Sequence, residues 1–508
     1  MDSSEEKKCP AINHNSLSIY IAVSFAAIVL NFLTITNTLP WIDEVMFTDT
    51  PANYILYNSW STKAWYSLGN DCEPFSTYLP LYQWLLCGWI KIIGFSFVKV
   101  RLLEIILYFI EGICILSLVR KIRGVSMKYI SSIVFSLCYW FFPILCMTYR
   151  MGRVDILGAL MATLLVSTVY TSIKDNRQRS FLIFTYSFFT MLSGIQAAVW
   201  TVAIASFSML YTRSYKPFIK PIACSIIGYI SALLVTALFM LHMGYLNAFV
   251  VSFLNYSATL YKLWAFARQY VLPLLGRQVT KIAEIPEGDG FLQRFIVYFQ
   301  DESVVILTVC VAVLLLINFK SFKREDYKNT FLFFIFSLYA TIFLNLAGRY
   351  VCYYEWMSIF PLVISLALLC EDGFKPLNRI IAIAAIVYFG FSCKDVIKSI
   401  SYHEYDNVVS FIQRQNFSSS ETIAAPMVAY YELKPIAPKT YYYEVYPTFK
   451  IPHIDYIILP DFSSNFYGRE EMQNYFNSIV SNPDYRVELI DSCSRPLLYL
   501  YSVKRRNH

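Results

Sequence analysis

Asp43 and Glu44 stand side by side in Pro40-Trp41-Ile42-Asp43-Glu44-Val45, just beyond the first long apolar segment of the chain. Carboxylates are costly to bury in hydrocarbon, so an acidic pair at the edge of a spanning segment points to water, a cation, or a hydroxyl to be deprotonated. The competing reading is a solvated helix start, with Asp43 as its cap and Glu44 favouring the positive end of the helix dipole. Two other positions offer matching chemistry. Arg153 and Asp155 in Gly152-Arg153-Val154-Asp155, and Arg349 in Gly348-Arg349-Tyr350, lie close to apolar segments. An arginine fork carries a permanent charge and suits a phosphate oxyanion, although an arginine at a helix end is ordinarily an interfacial anchor. Asp155 reads either as a further carboxylate of the same site or as a salt-bridge partner of Arg153. Tyr82 and Tyr350 are aromatic candidates for substrate contact or a lid; for Tyr82 the alternative is a belt of interfacial rings.

The elements that must position these residues are membrane helices. The chain has 508 residues, 57% hydrophobic, 18% aromatic and 15% charged, against about 25% charged in a soluble protein, and its mean hydropathy is +0.48. The net charge of +7 is spread over short loops instead of forming a stripe, which argues against nucleic acid as a partner. Twelve cysteines without a C-x-x-C pair, and five histidines, give no metal-ligand pattern. Met1 to Ser16 is polar, and Leu17 to Thr36 has spanning length without a small-residue cleavage site, so it reads as a retained first helix and not a signal peptide.

Further spanning candidates are Val98 to Val119, Tyr129 to Met147, Ile156 to Ile173, Phe181 to Gly194, Ala197 to Tyr211, Phe218 to Leu241, Val304 to Phe319, Thr330 to Leu346, Tyr353 to Leu369 and Ile380 to Phe391, about eleven in all with the first. Splitting the apolar run at Ser193-Gly194 into two helices puts the basic clusters, among them Arg120-Lys121-Arg123, Arg177 with Arg179, and Lys323-Arg324, on the cytoplasmic side. The loops 37–97, 148–155 and 242–303, and everything after Ser392, then share the opposite face. The fold class expected is an α-helical polytopic membrane protein, with residues 1–392 as the transmembrane domain and 393–508 as a small extracytoplasmic α/β domain. Its strand candidates are Glu421 to Ala425, Thr440 to Val445, Ile454 to Leu459, Tyr485 to Ile490 and Pro496 to Val503.

The order Asp43-Glu44, Pro80-Leu81-Tyr82 with Leu85-Leu86, Gly94-Phe95-Ser96 and Arg101-Leu102 resembles the first extracytoplasmic loop of the C-type membrane glycosyltransferases. That superfamily includes the protein O-mannosyltransferases and the lipid A aminoarabinose transferase. Arg153-Val154-Asp155 is similar to its R-x-D element, and Arg349-Tyr350 followed by Phe360-Pro361 to its late R-Y element. Two departures are Leu79-Pro80 in place of a double proline, and the lack of a lysine directly after the acidic pair.

The resemblance implies inverting transfer of a sugar from a polyprenyl-phosphate donor to a hydroxyl of a lipid, glycan or protein acceptor. Asp43 would be the base, Glu44 would orient the acceptor or Asp43 itself, Asp155 would supply a second carboxylate on the acceptor side, and Arg349 would be the donor-phosphate ligand with Arg153 a second one. The cofactor is left unknown, with a divalent cation compatible. The setting implied is a bacterial inner membrane with the site facing the periplasm, the alternative being an endoplasmic reticulum membrane with a luminal site. A competing class is a transporter or flippase of a polyprenyl-linked saccharide, in which the acidic pair would bind a coupling cation; carboxylates at one membrane face instead of the midplane speak against it.

Overall fold

The computed structural model describes residues 14–65, 73–76, 78–170, 175–256, 302–321, 325–346, 354–371, 380–381, 383–391, 404–445, 451, 453–461 and 469–506. Arg349, Tyr350 and most of the loop 242–303 lie outside the described residues.

The apolar segments fold as helices: α1 (His14–Thr34), α4 (Phe97–Arg123), α5 (Tyr129–Phe141), α6 (Pro143–Arg150), α7 (Asp155–Tyr170), α8 (Asn176–Ser193), α9 (Ile195–Thr212) and α10 (Ile219–His242). Between α1 and α4 lie two shorter helices, α2 (Ile42–Tyr57) and α3 (Leu81–Ile93). After α11 (Leu246–Tyr256) the described helices continue with α12 (Glu302–Ile317), α13 (Glu325–Leu346) and α14 (Trp356–Glu371). Four stretches, Ser16–Asn37, Phe97–Arg123, Ile195–Thr212 and Lys216–His242, are long and apolar enough to cross a bilayer. The pair α5 and α6 makes a fifth if counted as one span bent by 57°. The bend falls at Phe142-Pro143, where proline opens the new helix because it can neither donate to the preceding turn nor fit beside its carbonyl. Other expected spans are helical but fall short of that measure: α7, α12 and α14 have 16 residues each, and α8 and α13 begin with polar turns.

The division at Ser193-Gly194 is present, with α8 ending and α9 beginning there. Helices α8 and α10 pack so closely that a Cβ on Gly228 would stand 2.7 Å from the Phe184 carbonyl oxygen. Helix α10 leaves Ile226, Ile227, Ile230, Leu234, Leu238 and Leu241 exposed, an apolar face suited to lipid. At the basic end of α4, Arg123 pairs with the buried Glu371 of α14 at 2.5 Å, and the same carboxylate accepts from the Lys128 N–H and the Ser131 hydroxyl. That lock joins the end of α4, the start of α5 and the end of α14.

The carboxy-terminal part contains α15 (Glu404–Gln413), α16 (Tyr430–Ile436) and α17 (Arg469–Val480) around a five-stranded sheet. Its strands are β1 (Ile423–Ala425), β2 (Thr440–Tyr442), β3 (Tyr456–Pro460), β4 (Tyr485–Ser494) and β5 (Leu497–Arg505), in the order β2-β1-β3-β5-β4. The pairs β1 with β2 and β1 with β3 are parallel, and β5 runs antiparallel to β3 and β4. All five sequence-predicted strands are present, shifted by a few residues.

Beside β2, Glu444 accepts from the Met427 N–H at 2.6 Å, yet burial pushes its carboxyl up to about 8 from an ordinary 4.5. The native state therefore holds this proton where the unfolded chain has released it, so stability falls as pH rises from 4.5 through about 8. Melting curves across this range are expected to flatten in Glu444→Gln; an unchanged slope would remove Glu444 as the cause.

Candidate active site

Helix α2 carries the acidic pair. Trp41 ends the extended approach, its N–H reaching the Glu44 carboxylate at 3.4 Å, so a residue of the first turn satisfies a donor at the helix start. Glu44 is fully buried. Arg101 of α4 clasps it with two nitrogens, Nε to Oε1 at 3.0 Å and Nη2 to Oε2 at 2.7 Å. The remaining guanidinium hydrogens are used as well, on the Ile35 and Leu39 carbonyls at 3.3 and 3.2 Å and on Thr38 Oγ1. Arg101 also lies over the Phe97 ring, 4.0 Å from its centre. Tyr431 of α16 donates its hydroxyl hydrogen to Glu44 Oε1 at 3.0 Å. Glu44 is thus the hub of a satisfied buried network, with no free oxygen face for substrate.

Asp43 is different. Its side chain retains 22% exposure, whereas Arg153 and Asp155 beside it retain 1% and 3%. Arg153 Nη1 bonds Asp43 Oδ2, and Nε bonds Asp155 Oδ2 at 2.6 Å, so one guanidinium spans both carboxylates. The Trp41 ring flanks it at 5.4 Å. Arg153 engages one Asp43 oxygen and leaves Oδ1 as the other.

Gly152 makes this closeness feasible. Its φ of +67° is a conformation that side chains disfavour, and a Cβ there would stand 2.2 Å from Glu44 Cγ. Glu44 cannot move aside, because Arg101 and Tyr431 hold its end. Gly152→Ala is expected to lower stability by about 1–3 kcal/mol, read as a drop in melting midpoint. A midpoint equal to the parent's would show that the loop yields instead.

Two further sequence elements, Gly94-Phe95-Ser96 and Tyr82, lie close by. Phe95 of Gly94-Phe95-Ser96 stacks on Tyr431 with centroids 5.4 Å apart, and Ser96 caps α4 by accepting from the Lys99 N–H at 3.4 Å. Tyr82 is buried at 1% and donates to the buried Glu104 at 2.6 Å. It is therefore neither an interfacial belt ring nor an open substrate contact: pairing with a carboxylate inside the bundle satisfies its hydroxyl. Arg153, expected as a second phosphate ligand, has its charge between two aspartates. Asp155 is the salt-bridge partner of Arg153.

Sequence reading did not single out Asp49, Lys434, Tyr431 or Glu104. Asp49 is fully buried in α2 and pairs with Lys434 of α16 at 2.5 Å. It also accepts from the Thr62 hydroxyl at 2.7 Å and the Lys63 N–H at 2.8 Å. Burial alone would raise its carboxyl, but the Lys434 ammonium and these hydrogen bonds hold it below the ordinary value. The signal available was position alone: Asp49 follows Glu44 along one short helix.

No family model matches the chain, and no curated protein sequence matches it. Solved structures do. The crystal structure of ArnT from Cupriavidus metallidurans bound to undecaprenyl phosphate superposes with a TM-score of 0.59 at 8% identity, over 95% of this chain and 97% of that one. The Archaeoglobus fulgidus oligosaccharyltransferase in complex with Zn and sulfate gives 0.50 at 11% identity, over 94% of this chain and 72% of that one. Mycobacterial arabinofuranosyltransferase AftD gives 0.50 at 12% identity, over 96% of this chain and 40% of that one. All three are C-type membrane glycosyltransferases, and this chain has their fold.

Proposed function

We propose that the protein is an inverting glycosyltransferase that moves a sugar from a polyprenyl-phosphate donor to a hydroxyl of a lipid, glycan or protein acceptor. The observation that carries the reading is the unequal exposure of the acidic cluster. Glu44 and Asp155 are buried and held by arginines, and Asp43 alone of the three keeps an open edge. A carboxylate held through one oxygen, in a side chain that keeps 22% exposure, is suited to receive a proton.

In the reaction, the acceptor hydroxyl gives its proton to Asp43 Oδ1 while its oxygen attacks the anomeric carbon from the face opposite the phosphate. The bond from that carbon to the phosphate oxygen breaks, and polyprenyl phosphate leaves with the electron pair. Arg153, shared with Asp155, keeps Asp43 from swinging away. Glu44, through Arg101, fixes the start of α2. Arg349, by its match to the late R-Y element, takes the charge that develops on the departing phosphate; Tyr350 beside it is a candidate substrate contact. Undecaprenyl phosphate in the ArnT structure supports a polyprenyl carrier.

The archaeal oligosaccharyltransferase structure holds Zn. Among the described residues here, no group of three or more His, Cys, Asp or Glu is placed for a metal, and Asp43, Glu44 and Asp155 each face a guanidinium. These three carboxylates are taken up by arginine, and the neighbour's Zn supports a divalent cation as a compatible cofactor of the proposed reaction.

The location we infer is an extracytoplasmic face, in a bacterial inner membrane. Arg101 lies near the amino end of α4, and Arg120, Lys121 and Arg123 lie in its last turn. A helix of 27 residues is about 40 Å long, enough to put the acidic site and the positive charges on opposite faces. About eleven spans, and a division into residues 1–392 and 393–508, belong to the same reading.

Mass spectrometry of lipids that copurify with the protein tests the donor class. A polyprenyl-phosphate sugar is expected; a protein that carries no polyprenyl phosphate and transfers from none offered would overturn the reading. Arg349→Ala is expected to weaken binding of undecaprenyl phosphate by about tenfold or more, and unchanged binding would take the phosphate role from it.

A further inference from the structure

Helix α16 belongs to the carboxy-terminal part, yet its side chains reach the helix that carries the acidic pair. Tyr431 donates to Glu44, in a contact between residues 387 positions apart in the chain. One turn further along α16, Lys434 pairs with Asp49 at 2.5 Å, its side chain 2% exposed and that of Asp49 fully buried. Two more contacts follow the same seam: the Tyr57 hydroxyl donates to the Lys434 carbonyl, and Lys63 Nζ donates to the Pro438 carbonyl at 2.9 Å. The Tyr431 ring is held independently of its hydroxyl, between Phe95 at 5.4 Å and Phe97 at 5.2 Å. Helix α2 is therefore fixed near its start by Tyr431 and one turn later by Lys434. Neither residue reaches Asp43, but both reach the helix that aims it.

We infer that Tyr431 and Lys434 are positioning residues, and that the carboxy-terminal part completes the active site by clamping α2 so that Asp43 faces the acceptor. This rests on the proposed glycosyl transfer. A buried ammonium and a buried carboxylate are costly to desolvate and stay only where they match each other, so this latch has one register. A loosened α2 would misaim the base by a fraction of an ångström to an ångström, which is enough to slow a positioned proton transfer greatly.

The test uses the full chain in detergent or lipid discs, with polyprenyl-phosphate mannose and polyprenyl-phosphate aminoarabinose as donors. Tyr431→Phe keeps the ring packing and removes only the hydroxyl. The pair Asp49→Asn with Lys434→Met removes both charges together and strands neither. Each variant is expected to lose roughly ten- to a hundredfold in kcat, with the donor KM unchanged within about twofold. Amide exchange over residues 42–57 should quicken while the other described helices keep their protection. A purely structural role would instead leave kcat near the parent's value in whatever protein folds. A kcat within about twofold of the parent in both variants overturns the inference, whatever the exchange shows. If the parent carries no polyprenyl phosphate and transfers from neither donor, the reaction assigned above is what fails. Exchange then decides the clamp: unchanged protection over residues 42–57 overturns it, and selective quickening supports it.

Discussion

Asp43→Asn is expected to lower the transfer rate by about 10²–10⁴ in a protein that still folds. The substitution keeps the shape of the side chain and removes its capacity to accept the acceptor proton. Little else should change. Arg153 keeps Asp155 at 2.6 Å, so its buried charge is not stranded, and the amide oxygen of asparagine can still accept from Nη1. Asp43 is the most open member of the cluster, which limits the cost of altering it. The measurement is kcat beside a melting curve. Near-parental kcat in a folded variant would sink Asp43 as the base.

The second large effect is on stability. Arg101→Met should destabilise the protein by about 3–5 kcal/mol, because the fully buried Glu44 carboxylate would lose its counter-charge. The Ile35 and Leu39 carbonyls would lose a donor at the same time. For a membrane protein of this size, unfolding is commonly irreversible, so the appropriate measurement is the rate of inactivation at fixed temperature. Adding Glu44→Gln to Arg101→Met should recover part of the loss, since the uncompensated charge is then gone while the hydrogen bond from Tyr431 can persist. If the double variant were no more stable than Arg101→Met alone, charge stranding would not be the source of the effect.

The two predictions separate residues that stand next to each other. Asp43 and Glu44 differ by one position, yet helix geometry sends neighbouring side chains about 100° apart. One meets Arg153 at the open edge and the other meets Arg101 inside. A charge-removing substitution at the first is expected to affect rate, and at the second stability.

Much of this was legible along the chain because it depends on local chemistry. Apolar length places α1, α4, α9 and α10 as spans, since hydrocarbon tolerates no unpaired backbone groups. Alternation and turn residues place the five strands of the carboxy-terminal sheet. The elements Asp43-Glu44, Gly94-Phe95-Ser96, Arg101 and Arg153-Val154-Asp155 carry the resemblance and meet at one site. The partners of those residues were less legible. Arg153 reads as a phosphate ligand or an interfacial anchor, and Asp155 equally well as an acceptor-side carboxylate or its ion-pair partner, until the distances between them are known. Tyr82 reads as an interfacial ring until Glu104 is found beside it.

The sequence by itself determined that this is a membrane protein with an acidic pair at a helix start, because hydropathy and spacing act over a few turns. Only the tertiary structure decided which acid is open and which is buried, and that Tyr431 and Lys434 close over α2 from the far end of the chain. Burial and pairing at that separation depend on how the helices and the sheet come together, a property that no local pattern of residues carries.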